Sequence, residues 1–268
     1  MNETLKRAIS GAVYIALLLG CISYSKESLA ILFGVFLLIG VYEFCKIASL
    51  NLYFSLPVAA LSYYFLWDKN QDIISKTILV SLSTIISIKL LLYLFNSQKT
   101  NFNITTRYLL LIGYIIIPFI ITNYVAVGKN GYNPKILISI LILIWANDTF
   151  AYLVGKNFGK NKLFPSVSPK KTIEGFIGGM LFTIISSVLL SKFYIESKIL
   201  YIWIVIAIIV SIFSTLGDLI QSKFKRVAGV KDSGKIMPGH GGILDRLDSI
   251  IFVIPFINLF YLILYYVS

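Results

Sequence analysis

Asp218, Asp245 and Asp248, with Lys225, Arg226 and Lys231 between them, put hard oxygen donors and fixed cations into one short stretch of chain. Mg²⁺ takes carboxylates of this kind alongside substrate phosphates, and lysine and arginine neutralise the phosphates themselves. The stretch 222–248 holds six of the 24 basic residues, three of the 12 acidic ones and the single histidine, in about a tenth of the length. Its Pro238-Gly239-His240-Gly241-Gly242 run cannot form stable helix or strand, and its glycines let backbone amides approach a phosphate or metal-bound oxygen closely. Asp245 and Asp248 are three apart at the head of an apolar run, so both can face one way. The pattern predicts a metal-assisted phosphate site with Asp218, Asp245 and Asp248 as ligands of Mg²⁺. A lone histidine is more often a hydrogen-bonded structural residue than a catalyst, and Arg246 either clamps a phosphate or holds the carboxylates on each side of it.

Two more groups belong with this stretch. Ser211, Ser214, Asp218, Ser222 and Lys225 follow one another at +3, +4, +4 and +3, which on a helix is one polar stripe. Such a stripe in an apolar span must face protein or a water-filled cavity, since a bare carboxylate in lipid costs at least ~2.5 kcal/mol. Trp145, Asp148 and Tyr152 repeat the pattern, and Asp148 is either a further metal ligand or the partner of a basic loop residue. In the loop between these spans, Lys170, Lys171 and Thr172 stand at a helix start, where Thr172 can cap and an anion is favoured. Glu43 is assigned to a structural pair with Lys46. Gly175 and Gly179 are assigned to helix packing.

The elements that position these residues are membrane helices. The chain is 57% hydrophobic and 13% charged, with a mean hydropathy of +0.85; a soluble protein would be about a quarter charged. Nine apolar runs of roughly span length are expected at 8–24, 28–48, 52–67, 73–95, 107–127, 134–155, 173–194, 199–221 and 249–267, or eight spans if the short third run does not cross. The fold class is an all-α polytopic membrane protein, one integral-membrane domain over 1–268. Its site stands on the last four helices and their loops, and residues 1–130 form N-terminal helices suited to a lipid or oligomer surface. With Lys6 and Arg7 in the cytoplasm, 16 basic residues (Lys99 among them) fall on that side and seven on the other, which follows the positive-inside rule. The two most basic loops, 156–172 and 222–248, then face the cytoplasm together. The net charge of +12 fits anionic headgroups and a polyphosphate better than nucleic acid, for which no soluble basic module is present. Cys21 and Cys45 lack metal spacing and are read as inert helix residues.

The stretch SxxKRxxxxKDSGxxxPGHGGxLDRxDS, from Ser222 to Ser249, resembles the signature of the phosphatidate cytidylyltransferases, the CDP-diacylglycerol synthases. Gly217-Asp218-Leu219, WxxDTxAYxxG from Trp145 to Gly155 and Ser168-Pro169-Lys170-Lys171-Thr172-Ile173-Glu174-Gly175 resemble the same family. The matching elements lie within about 145–250. The resemblance implies a multi-spanning enzyme of the bacterial inner membrane that condenses CTP with phosphatidic acid to CDP-diacylglycerol and pyrophosphate, using Mg²⁺, with a second cation as an option. It implies Asp218, Asp245 and Asp248 on the metal and Lys225, Arg226 and Lys231 on the nucleotide phosphates. Lys170, Lys171, Thr172, Ser222, Ser233, Gly239, His240, Gly241, Gly242 and Arg246 would then line the substrates. A homodimer is an option. The alternatives are a CTP-dependent lipid kinase, a cytidylyltransferase for another lipid phosphate and, in another class, an ion-coupled transporter, since intramembrane aspartates also suit ion coupling.

Overall fold

The computed structural model describes residues 3–67, 72–96, 102–128, 131–197 and 199–267, so Lys99 lies outside the described residues. Its helices are α1 (Glu3–Tyr24), α2 (Lys26–Ala48), α3 (Leu52–Leu66), α4 (Ile73–Phe95), α5 (Ile104–Val125), α6 (Pro134–Phe158), α7 (Ile173–Ile195), α8 (Leu200–Val227) and α9 (Leu244–Val267). Eight of them are long and apolar enough to cross a membrane, which makes the chain a polytopic integral membrane protein. The exception among the described residues is α3, whose 15 residues rise only about 22 Å.

Although short, α3 connects the two ends of the bundle. It starts beside Ala48, whose carbonyl is bound by Arg107 at 3.0 Å, and ends at Leu66, whose carbonyl is bound by Tyr124 near the close of α5. The nine described helices therefore alternate in direction, and the segments 156–172 and 222–248 lie at the same end as the start of α1.

Local chemistry fixes the helix ends. Ser25 and Ser28 form a reciprocal cap at the head of α2, and Ser49 at φ 52° closes its tail. Asn133 caps α6, with Pro134 in its first turn. Midway along α5 the backbone widens into a π-turn at Leu111–Ile116. There Gly113 lets α4 close in: a side chain at that position would meet Ile86 at 2.4 Å, and Ser83 donates to the Gly113 carbonyl at 2.8 Å.

The two short sheets are hairpins. At one end β1 (Val127–Gly128) pairs with β2 (Gly131–Tyr132), and at the other β3 (Lys162–Phe164) pairs with β4 (Ser168–Thr172). The second hairpin replaces the irregular lysine-rich loop expected from sequence. It folds back on the head of α7, where Glu174 accepts from the Lys160 and Asn161 amides. An aromatic cluster ties the site helices to the N-terminal half: Phe224 of α8 packs on Phe44 of α2 at 5.9 Å, and Phe252 of α9 on Tyr114 of α5 at 6.3 Å.

Candidate active site

The polar stripe of α8 faces α6, α7 and α9, as its spacing predicts. Ser214 accepts from Asn147 of α6 at 3.1 Å, and Asp218 accepts from Ser222 one turn on at 3.2 Å. Asp218 also meets Lys171 at the head of α7, at 2.5 Å, with both side chains partly open to solvent. The helix continues to Val227, beyond the apolar run that ends near 221, so Ser222 and Lys225 stand on it as the stripe requires, and Lys223 and Arg226 stand on helix as well. Lys223 points away from the site. It binds the Leu94 and Asn96 carbonyls at 3.2 and 2.7 Å and so caps the tail of α4.

Helix α9 starts at Leu244, five residues before the expected 249, and this sets Asp245 in its first turn. Asp245 is enclosed by donors. Lys225 reaches Oδ1 at 2.6 Å, while Oδ2 accepts from the Ser233 amide at 2.8 Å and the Gly242 amide at 2.9 Å and lies 3.0 Å from the Ser233 hydroxyl. The ion pair to Lys225 is nearly closed to solvent, with side-chain exposures of 10% and 6%. Asp248, one turn further on, accepts from the Ser249 amide at 2.8 Å.

A cavity of about 280 Å³ opens between α1, α6 and α9, lined among others by Tyr14, Asp148, His240, Arg246 and Asp248. Asp148, Asp218 and Asp248, from three different helices, are near enough for their charges to act on one another, and Lys171, Lys225 and Arg246 act on them in turn. Among the described residues no three His, Cys, Asp or Glu side chains stand together as a ready-made metal cage. Mg²⁺ usually takes one or two protein carboxylates and completes its shell with water and substrate phosphates. The hard-oxygen donors here fit such an ion, although Asp245 would have to loosen its hold on Lys225 to join them.

The PGHGG turn is a small closed unit. Met237 donates to the Gly241 carbonyl and His240 to the Met237 carbonyl, each at 2.9 Å, with Gly239 and Gly241 at φ 76° and 89°. His240 Nδ1 lies 2.9 Å from the Ser10 hydroxyl of α1, which also donates to the Pro238 carbonyl at 3.0 Å. Burial and the neighbouring charges of Arg246 and Arg7 hold the His240 imidazole below the usual histidine pKa. Arg246 donates to the His240 carbonyl at 3.0 Å, so it steadies this turn while lining the cavity.

The remaining expected residues are divided. Thr172 caps α7 through the Gly175 amide at 3.1 Å, and Lys170 lies exposed beside it. Arg226 and Lys231 are exposed, Arg226 donating to the Val230 carbonyl at 3.2 Å. Tyr152 is 64% exposed and does not join Trp145 and Asp148 at the cavity. Gly175 and Gly179 do serve packing: a side chain on either would strike the α6 backbone, at Ala151 O (2.7 Å) and Asn147 O (2.9 Å).

The N-terminal helices supply residues that sequence reasoning missed. Tyr14 and Gly11 of α1 line the cavity. Glu43 of α2 is not held by Lys46, which turns to Tyr42. It is 1% exposed and accepts from the Ser233 hydroxyl (2.8 Å), the Ile243 amide (3.0 Å) and the Leu244 amide (2.9 Å). A carboxylate set within the apolar run of α2 was the signal for it.

The model of the cytidylyltransferase family matches residues 5–264. Over 118 residues the chain is 49% identical to a phosphatidate cytidylyltransferase of Staphylococcus saprophyticus, a stretch covering 44% of this chain and 45% of that one. Over 120 residues it is 52% identical to the phosphatidate cytidylyltransferase of Staphylococcus aureus strain COL, with the same coverage. The one from Staphylococcus epidermidis is 46% identical over 125 residues, or 47% of this chain and 48% of that one. The chain thus matches a little under half the length of these curated relatives.

Proposed function

The chain belongs to the cytidylyltransferase family, and on that premise we propose that it transfers the cytidylyl unit of CTP to phosphatidic acid, yielding CDP-diacylglycerol and pyrophosphate. The observation that carries this reading is the mesh of Asp148, Asp218 and Asp248 with Lys171, Lys225 and Arg246 at one end of a lipid-embedded bundle. A lipid phosphate reaches such a site from the bilayer and a nucleotide from the water. The names of the staphylococcal relatives agree with this substrate pair.

In the reaction an oxygen of the lipid phosphate attacks the α-phosphorus of CTP. The bond from that phosphorus to the oxygen bridging to the β-phosphate breaks, and its electron pair leaves with pyrophosphate. A phosphate monoester with a second pKa near ~6 is already mostly dianionic at pH 7, so no strong general base is needed. What the site must do is hold two anions together and in line.

Lys171 and Lys170, at the head of α7, receive the lipid phosphate, and the positive end of that helix adds to them. Arg226 and Lys231 receive the nucleotide phosphates, with Lys225 joining them when Asp245 releases it. The amides of His240 and Gly242 are taken up within the loop, so Gly239 and Gly241 are the backbone positions offered to a phosphate oxygen. Mg²⁺, when bound, supplies charge neutralisation at the phosphates, and Asp218 and Asp248 would hold it, with Asp245 behind them and Asp148 as an alternative. The site end faces the cytoplasm in this reading, since 16 basic residues against seven fall on that side.

The test is purified protein in detergent with CTP, phosphatidic acid and Mg²⁺. CDP-diacylglycerol and pyrophosphate in equal amounts are expected. CDP with a newly phosphorylated lipid would replace this reading with a kinase, and no CTP turnover with any lipid phosphate would overturn it.

A further inference from the structure

We infer that Glu43 is a positioning residue of the site, and that the glycines at 234 and 242 are small because the loop must close around its carboxylate. The inference builds on the reading above, since it concerns the same site. Glu43 comes from α2, far in sequence from every residue of the site loop. Its two oxygens receive three donors: the Ser233 hydroxyl and the two amides, Ile243 and Leu244, that open α9. The first amides of a helix have no partner within it and carry its partial positive charge. A buried carboxylate there both completes the hydrogen bonding and fixes where the helix begins.

That starting point sets the catalytic end of α9. Asp245 and Asp248 occupy its first two turns, so a shift in the origin or roll of the helix moves both. Ser233 links the two carboxylates, its hydroxyl lying 2.8 Å from Glu43 and 3.0 Å from Asp245 while its amide serves Asp245 alone. Glu43, Ser233, Asp245 and Lys225 thus form one chain of contacts from α2 to α8, passing through the loop.

The glycines make the fit specific. A side-chain carbon at Gly234 would come within 2.3 Å of Glu43 Oε1, and the three atoms nearest to it all belong to Glu43. At Gly242 the same carbon would meet Glu43 Oε1 and Oε2 at 2.4 Å and the Ser233 hydroxyl at 2.2 Å. Neither glycine has a positive φ. Backbone freedom therefore does not explain them; the space taken by the Glu43 carboxylate does, joined at Gly242 by the Ser233 hydroxyl that it binds.

The experiment compares wild type with Glu43→Gln, which keeps the shape but turns one acceptor into a donor facing donors. Turnover, KM for CTP and deuterium uptake of the substrate-free protein are measured together. Expected are a kcat loss of about tenfold or more, a KM change under about threefold, and raised exchange over 231–244 with the core of α8 unchanged. Full turnover with unchanged exchange would overturn the inference, as would a loss that merely follows exchange across the whole protein. If Glu43→Gln does not fold, Gly234→Ala with and without Glu43→Asp decides. The shorter acid should restore turnover at least ~3-fold to Gly234→Ala, whereas simply additive losses would reject the contact. Exchange needs no substrate, so the brace can stand even if the proposed reaction fails.

Discussion

Lys225 and Asp245 meet at 2.6 Å between α8 and α9, with the rest of the Asp245 carboxylate bound by Ser233 and Gly242. A pair this enclosed is hard to break from one side. Lys225→Met leaves a buried carboxylate without its cation and is expected to cost about 3–5 kcal/mol of stability. Adding Asp245→Asn should recover much of that stability but none of the turnover. Thermal unfolding in detergent beside CTP consumption reads both effects, and equal losses in the single and double variants would contradict the pairing.

Asp218 is more open than Asp245, and its removal should separate chemistry from folding. Asp218→Asn is expected to leave the melting temperature near wild type and lower kcat by roughly 10²-fold, the scale of one preorganised electrostatic element. Turnover within about threefold of wild type in a folded Asp218→Asn protein would remove Asp218 from the machinery.

The contact between Ser10 and His240 should depend on pH. Burial and the charges of Arg246 and Arg7 lower the His240 pKa on folding, so the folded state binds this proton less readily than the unfolded chain. The contribution is full above the ordinary histidine value of ~6.5 and is lost as pH falls through that value towards the lower folded one. Melting temperatures from pH 7.5 to 5.5 are therefore expected to fall more steeply for wild type than for His240→Gln. Parallel curves would show that His240 carries no such linkage.

Gly217 permits the contact of α8 with α9. A side-chain carbon there would meet Phe252 Cβ at 2.6 Å and the Asp248 carbonyl at 2.9 Å. Gly217→Ala should destabilise by about 1–3 kcal/mol, as overpacking does, and should also lower turnover because it displaces Asp248 and leaves Asp245 in its pocket. Wild-type melting and turnover together would contradict this geometry.

Much of the arrangement was legible because membrane helices write their own constraints. The stripe from Ser211 to Lys225 showed which side of α8 faces protein, and Thr172 before Glu174 marked the head of α7. Helix ends were less legible. The apolar run stops near 221, yet α8 goes on to Val227, stabilised by Lys223 capping α4 and Lys225 pairing with Asp245, and neither partner is local in sequence. The hairpin at 162–172 was hidden for the same reason, since its fold depends on Glu174 gathering amides from 13 and 14 residues back. Glu43 was read as local to Lys46 because spacing reveals only neighbours, and its real donors lie 190 to 201 residues further on.

That separation has a bearing on how the protein is made. Ribosomes add ~5–20 residues per second, so α2 leaves the ribosome on the order of 10–40 s before the amides of Ile243 and Leu244 exist. During that interval Glu43 must remain near the aqueous rim or be sheltered by the insertion machinery, because a bare carboxylate among lipid chains is strongly disfavoured. Only once the last helix is in place can Glu43 exchange that temporary setting for its permanent donors.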